Sequence, residues 1–160
     1  MLFSTVAATG AAAVVVWIAT ASRRRQRRLR CLATMSGLLA LTPLEFEHEV
    51  GDLLRSLGFT HVTVTGKAGD LQADILATDP EGRETIVQCK RYAPDRTIGS
   101  PVIQSFVGMA RIHHDCERAM FVTTGRFTAP ACHLAEEHDI ELIDGDDLVD
   151  MFNDRVAAFA

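Results

Sequence analysis

Residues 73–90 read Ala73-Asp74-Ile75-Leu76-Ala77-Thr78-Asp79-Pro80-Glu81-Gly82-Arg83-Glu84-Thr85-Ile86-Val87-Gln88-Cys89-Lys90. Two strand-like runs, 73–78 and 84–90, flank Asp79-Pro80-Glu81-Gly82, a composition in which proline presets one turn position and glycine relieves another. The pattern predicts a β-hairpin. Three polar side chains stand where packing alone gives them little reason to be: Asp74 in the first run, and Gln88 and Lys90 in the second. The last two are two residues apart and so point to one face of the strand. Asp74 lies five residues before Asp79 and Gln88 six after Gly82, so pairing brings them roughly level.

Outward from the hairpin the hydrophobic period changes. Thr42-Pro43-Leu44-Glu45 has the form of a capping box with proline at the first helical position. Leu44, Phe46, Val50, Leu53, Leu54 and Leu57 follow at mostly helical spacing until Gly58, so a helix over 43–57 is expected. His61–Thr65 alternates as a strand does, and Gly66-Lys67-Ala68-Gly69-Asp70 reads as a glycine-bearing loop. After the hairpin, Pro101 opens a second helix, 119–123 is a short apolar run of the buried-strand kind, and Thr128 caps a third helix ending near His138. Residues 140–143 form another strand and Asp147–Val156 a last helix. This order implies an α/β layer structure, a mixed central sheet flanked by helices, with the later strands joined by helical crossovers.

Within that frame the polar residues acquire tasks. The Asp74 carboxylate and the Gln88 amide oxygen are hard oxygen donors of the kind Mg²⁺ accepts. Lys90 has the charge to steer or deprotonate a water and to stabilise a phosphate. Glu47, beside Phe46 at the margin of the buried helical stripe, is placed to hold an outer water or complete a second metal position. Lys67, Arg91 and Tyr92 flank the group as candidates for holding phosphates. Plainer readings stay open: Asp70 as a loop carboxylate capping amides, Glu47 as a solvated helix residue, and Asp74 with Lys90 as a buried ion pair, which is seldom a net gain in stability.

Glu47, Asp74 and Gln88-x-Lys90 resemble the active site of the PD-(D/E)XK nuclease superfamily. The closer likeness is to its Mrr-like restriction endonuclease branch (type IV restriction), where glutamine commonly replaces the acidic residue before the lysine. Phe46-Glu47, Leu57-Gly58-Phe59, Gly69-Asp70 with Asp74, and Gln88-Cys89-Lys90-Arg91-Tyr92 follow in the family's order. Phe121-Val122-Thr123-Thr124-Gly125-Arg126-Phe127-Thr128 and Ile140-Glu141-Leu142-Ile143-Asp144-Gly145 match its later landmarks, so the resemblance covers about 105 residues. It implies a restriction-endonuclease-like core and a divalent-metal-dependent DNA endonuclease, a phosphodiester hydrolase using Mg²⁺ or Mn²⁺ and usually leaving a 5′-phosphate. The implied role is restriction of foreign or modified DNA, or repair. Glu47, Asp74, Gln88 and Lys90 are then the expected catalytic residues, with Asp74, Gln88 and Glu47 as metal ligands. A structure-selective resolvase shares the layout, and a tethered DNA-binding or assembly module that keeps the fold without cleaving is the reading of another class. A homodimer is left open. One departure is visible: Gln72 stands where the family's G-D-x-G-x-D pattern has glycine, which permits a backbone with φ > 0 that glutamine disfavours.

The net charge of −5 hides a division. Six arginines fall within Arg23–Arg30 and no acidic residue precedes Glu45, so residues 31–160 carry 10 basic against 21 acidic side chains, a balance of −11. That is a poor field for attracting a polyanion, although a centre that holds cations must itself be acidic. Leu2–Ser22 carries no charged side chain, and about 20 apolar residues just cover a bilayer core of about 30 Å. The expectation is a transmembrane anchor over 2–22, a basic juxtamembrane linker over 23–41 and a nuclease domain over 42–156. By the positive-inside rule this makes a single-pass cell-membrane protein with the nuclease domain cytoplasmic. The rival is a cleaved secretory signal ending at Ala19-Thr20-Ala21, although such signals carry their positive charge before the apolar run. For the arginine run itself, contact with phosphates or anionic headgroups is the alternative to a topological role. Cys31, Cys89, Cys116 and Cys132 form no C-x-x-C pair and match no common zinc spacing, so reduced thiols are expected. His113-His114-Asp115-Cys116 reads as a solvent-facing cluster at a helix end, and no Walker-type nucleotide loop occurs.

Overall fold

Asp79 builds the turn that closes the hairpin. Its carboxylate accepts from the backbone N–H of Glu81 at 3.0 Å and of Arg83 at 2.8 Å, from the Arg83 Nε at 2.8 Å and from Arg118 at 3.4 Å. Strands β2 (Ile75–Thr78) and β3 (Glu84–Lys90) then pair antiparallel with Ile75 opposite Val87. The computed structural model describes residues 3–65, 73–110, 114 and 116–158, with the side chains of 3–16 left aside. Burial alone would raise the Asp79 carboxyl, but the Arg83 N–H, the Arg83 guanidinium and Arg118 hold it at about 2 instead of 3.8. A carboxyl lowered in the folded state contributes stability above its ordinary value that is lost as pH falls through the lowered one. Asp79→Asn is therefore expected to be less stable than the native chain at neutral pH. The difference should shrink between pH 3.8 and about 2, and acid titration of the two melting curves checks it.

Around the hairpin the sheet runs β1-β2-β3-β5-β7, with β1 (Thr60–Val64), β5 (Arg118–Thr123) and β7 (Ile140–Ile143). β1, β2 and β3 are antiparallel, whereas β3, β5 and β7 are parallel and joined by helical crossovers. Helix α3 (Pro43–Ser56) starts with the expected capping box: the Glu45 N–H donates to Thr42 Oγ1 at 3.3 Å and the Thr42 N–H to Glu45 Oε2 at 2.7 Å. It ends at Gly58, whose φ of +93° suits glycine. Phe46, Val50, Leu53 and Leu54 are buried against one sheet face together with Leu148 and Phe152 of α6 (Gly145–Ala158), while Leu44 and Leu57 stay exposed. The other face is covered by α4 (Ser100–Gly108) and α5 (Ala129–Glu137), where Ile103, Phe106, Ala131 and Ala135 pack on Ile86 and Phe121. The three layers expected from the sequence are thus present. Helix α6 begins two residues earlier than expected because Asp144 caps it, its carboxylate accepting from the N–H of Asp146 at 2.9 Å and of Asp147 at 3.1 Å. A short parallel ribbon, β4 (Thr97–Ile98) with β6 (Arg126–Phe127), was not foreseen. Two-residue strands carry no periodicity, and the ribbon depends on Gly125, where a Cβ would lie 2.5 Å from the Arg96 carbonyl.

The N-terminal expectations are corrected. Phe3–Leu32 forms a single helix, α1, that continues unbroken through the arginines, and α2 (Met35–Leu39) follows. Among the described residues no helix is long and apolar enough to cross a membrane. Met1, Leu2 and the side chains of 3–16, a large part of the expected span, lie outside the described residues. The end of the same helix packs on the domain, where Leu29 and Leu32 are buried. The transmembrane anchor, the membrane as partner and the single-pass cell-membrane location are withdrawn with it. Residues 23–41, expected as a linker, are largely helical and docked: Leu29, Leu32, Ala33 and Leu38 are buried, and Arg28 is ion-paired with Glu49 of α3.

Candidate active site

Asp74, immediately before β2, is held beside β3 by its N–H, which donates at 3.0 Å to the carbonyl of Val87, the partner of Ile75, and its side chain meets that of Gln88. Both side chains are buried, Asp74 with 8% and Gln88 with 1% of its surface exposed. Asp74 Oδ2 accepts from the Gln88 amide and, at 2.7 Å, from the Cys89 N–H. The Gln88 Oε1 atom is buried and has no hydrogen-bond partner among the described residues. A buried amide oxygen left without a partner is costly and calls for an explanation. Which end of an amide faces its neighbour is settled by the hydrogen-bond network. Turned over, this amide would set its oxygen against the Asp74 carboxylate, an arrangement that a cation between the two would stabilise. The donor set of carboxylate and amide oxygen therefore fits Mg²⁺ or Mn²⁺.

Lys90 follows on the same strand face, and with Gln88, Pro101, Val102, Ser105 and Phe121 it lines a cleft of about 400 Å³. Glu47 projects from the first turns of α3 and is half-buried. Burial first, and then the carboxylates of Asp74 and Glu47, push the Cys89 thiol well up, while Lys90 pulls the other way. Asp74, Gln88 and Lys90 are thus brought together at the outer end of β3, and Glu47 approaches that end from the α3 side, where Cys89 is buried. That end is fixed to β5 by two buried threonines that sequence reasoning did not single out for a role. Thr123 Oγ1 donates to the Lys90 carbonyl at 2.7 Å, and Thr124 Oγ1 donates to the Tyr92 carbonyl at 2.6 Å and accepts from its N–H at 2.8 Å. The available signal was adjacent hydroxyls closing an apolar strand.

The outer candidates are placed differently. Arg91 donates to the Leu39 carbonyl at 3.1 Å and so ties α2 to the strand end. The Tyr92 ring packs beside the second core cluster with Arg96 lying 5.7 Å from its centroid. Lys67, Asp70 and Gln72 lie outside the described residues, as do His113 and Asp115. Cys116 is buried, its thiol donating to the Ala110 carbonyl at 3.3 Å. A larger hollow of about 820 Å³ sits at the opposite end of the sheet, lined by Arg83, Glu117, Arg118 and Glu141. Its main cation is engaged, since Arg118 is ion-paired with Asp79 and Glu141.

A mixed sheet whose antiparallel hairpin presents a carboxylate, an amide and a lysine at one strand end defines the restriction-endonuclease-like class. The chain belongs to the Mrr-type restriction endonuclease family (Mrr_cat), a family of DNA nucleases, which matches residues 38–152. Among solved structures it is similar to the DNA modification-dependent restriction endonuclease AspBHI, at 16% identity and a TM-score of 0.57 over 84% of this chain and 39% of that one. It is also similar to the MspJI restriction endonuclease, solved with a 27-mer oligonucleotide, at 16% identity and a TM-score of 0.52 over 73% of this chain and 32% of that one. A third, AF1548, a protein of unknown function, has 18% identity and a TM-score of 0.52 over 64% of this chain and 58% of that one. The chain therefore spans well under two thirds of these structures, and at such identities the likeness is one of fold. No curated protein matches it.

Proposed function

We propose that the chain is a divalent-metal-dependent endonuclease that hydrolyses DNA phosphodiester bonds in the restriction of foreign or modified DNA. The observation that supports this most is the buried Asp74–Gln88 contact with its orphaned amide oxygen, on the strand that carries Lys90 into the same cleft. Asp74 and Gln88, joined by Glu47, would hold Mg²⁺ or Mn²⁺, which when bound polarises a phosphoryl oxygen and lowers the pKa of water. Lys90 has one of two tasks: its ammonium stands against the charge that grows on the phosphate, or it accepts a proton from the attacking water. Thr123 and Thr124 hold the strand end that positions Lys90, and Pro101, Val102 and Phe121 give the cleft apolar walls. The descriptions of MspJI, bound to an oligonucleotide, and of AspBHI, modification-dependent, support DNA as partner and modified DNA as the substrate class.

The test is cleavage of supercoiled plasmid, methylated and unmethylated, by the purified full chain. Nicked and linear products are expected with Mg²⁺ or Mn²⁺ and none with EDTA. Absence of product with either ion on every substrate, branched DNA included, would leave the non-cleaving DNA-binding module. Cleavage confined to branched DNA would favour the structure-selective nuclease.

A further inference from the structure

The acidic domain sets a problem for any DNA-directed reading. With −11 over residues 31–160, its field repels the polyanion it is to act on. The answer lies in the half of α1 that docks on the domain. Leu29 and Leu32 are buried, Arg28 is ion-paired with Glu49 of α3, and the charge of Arg25 is felt by Arg155 of α6. These four positions lie on one side of the helix. Arg23, Arg27 and Arg30, at i, i+4 and i+7, form a stripe on the opposite side. They are exposed, as is Arg24 on the flank, and among the described residues these four arginines form no ion pair.

An ordinary solvated helix face mixes signs, because like charges at i, i+4 repel. No acidic residue occurs anywhere in this helix, so nothing within the helix offsets the repulsion along this face, and an external polyanion would. At about 1.5 Å per residue, Arg23 to Arg30 spans about 10 Å, over which duplex DNA carries about six phosphate charges.

We propose that the Arg23–Arg27–Arg30 face of α1 is a phosphate-binding element that grips the backbone of duplex DNA. The inference rests on the nuclease reading for its substrate, but its test does not depend on cleavage. The dissociation constant of the full chain for a fluorescent duplex is measured in EDTA, where no cutting is expected, at a series of salt concentrations. Each neutralised phosphate contributes about 0.9 to the slope of log K against log salt, so R23Q/R27Q/R30Q should flatten it by about 2.7. Between about 50 and 200 mM salt, the native chain should then lose about 40-fold more affinity than the variant. R23K/R27K/R30K should keep the native slope, and the exposed positions leave the melting temperature of both variants unchanged. With Mg²⁺, the glutamine variant should show a raised KM and an unaltered kcat.

An unchanged slope in the glutamine variant would overturn the proposal. So would loss of binding to phosphatidylserine vesicles with DNA affinity intact, which would assign the stripe to lipid headgroups. Native cleavage with an unchanged slope leaves the nuclease reading standing without this element. The predicted flattening with no cleavage under any condition leaves the element and removes the nuclease.

Discussion

Lys90→Ala should cleave plasmid about 10²–10³-fold more slowly than the native chain, the loss typical of removing one group that stabilises charge in a transition state. Binding and folding should be nearly untouched. Lys90 is half-buried at the rim of the cleft, and its backbone carbonyl, which accepts from Thr123 at 2.7 Å, survives the substitution. Melting within about 2 °C of the native chain is therefore expected. Lys90→Arg separates the two tasks assigned to the side chain. Guanidinium keeps the charge but stays protonated, so it can stabilise the phosphate and cannot take a proton. Single-turnover rates across a pH series decide between them. Recovery in the arginine variant means a purely electrostatic lysine, and continued loss with a flattened pH profile means proton transfer. A native rate in Lys90→Ala would remove the mechanism altogether.

The arrangement of the candidate site was readable in advance because it is local. A hairpin is set by its turn, so counting from Asp79 and Gly82 brought Asp74 near Gln88, whose side chains do meet, before any tertiary information was needed. Strand alternation then put Lys90 beside Gln88. The helices were legible from the capping box at Thr42 and from the period of the core positions Phe46, Val50, Leu53 and Leu54. What failed depended on contacts distant in sequence. An uncharged run followed by arginines has the grammar of a membrane anchor, and nothing local says that Leu29 and Leu32 will bury against the domain. For Arg91, read as a phosphate contact, nothing local said that the fold would also bring the Leu39 carbonyl, 52 residues away, to its guanidinium. The partners of the two threonines and the β4–β6 ribbon were likewise out of reach, since each joins segments about 30 residues apart.

Gln88→Glu carries the strongest expected effect on stability and probes the metal site without any cleavage readout. The native amide donates to Asp74 inside the fold, where only 1% of the Gln88 surface is exposed. Glutamate of nearly the same shape would press a second carboxylate against the first. Two such groups in contact cannot both ionise cheaply, so the upper pKa of the pair rises. A carboxyl raised in the folded state has its stabilising share below the unfolded value of about 4.3 and loses it as pH climbs. At about pH 8 in EDTA the variant should be less stable by about 3 kcal/mol, a melting point lower by roughly 6–12 °C. Near pH 5 the gap should narrow. Mg²⁺ should close it as well, because a cation held between the two oxygens replaces the missing proton and binding to the folded state raises stability by mass action. Gln88→Leu supplies the contrast: it leaves the Asp74 carboxylate without its amide donor and should gain nothing specific from Mg²⁺. If the glutamate variant melts equally low with EDTA and with Mg²⁺, the Asp74–Gln88 pair is an ordinary buried hydrogen bond, and the cation must be sought elsewhere.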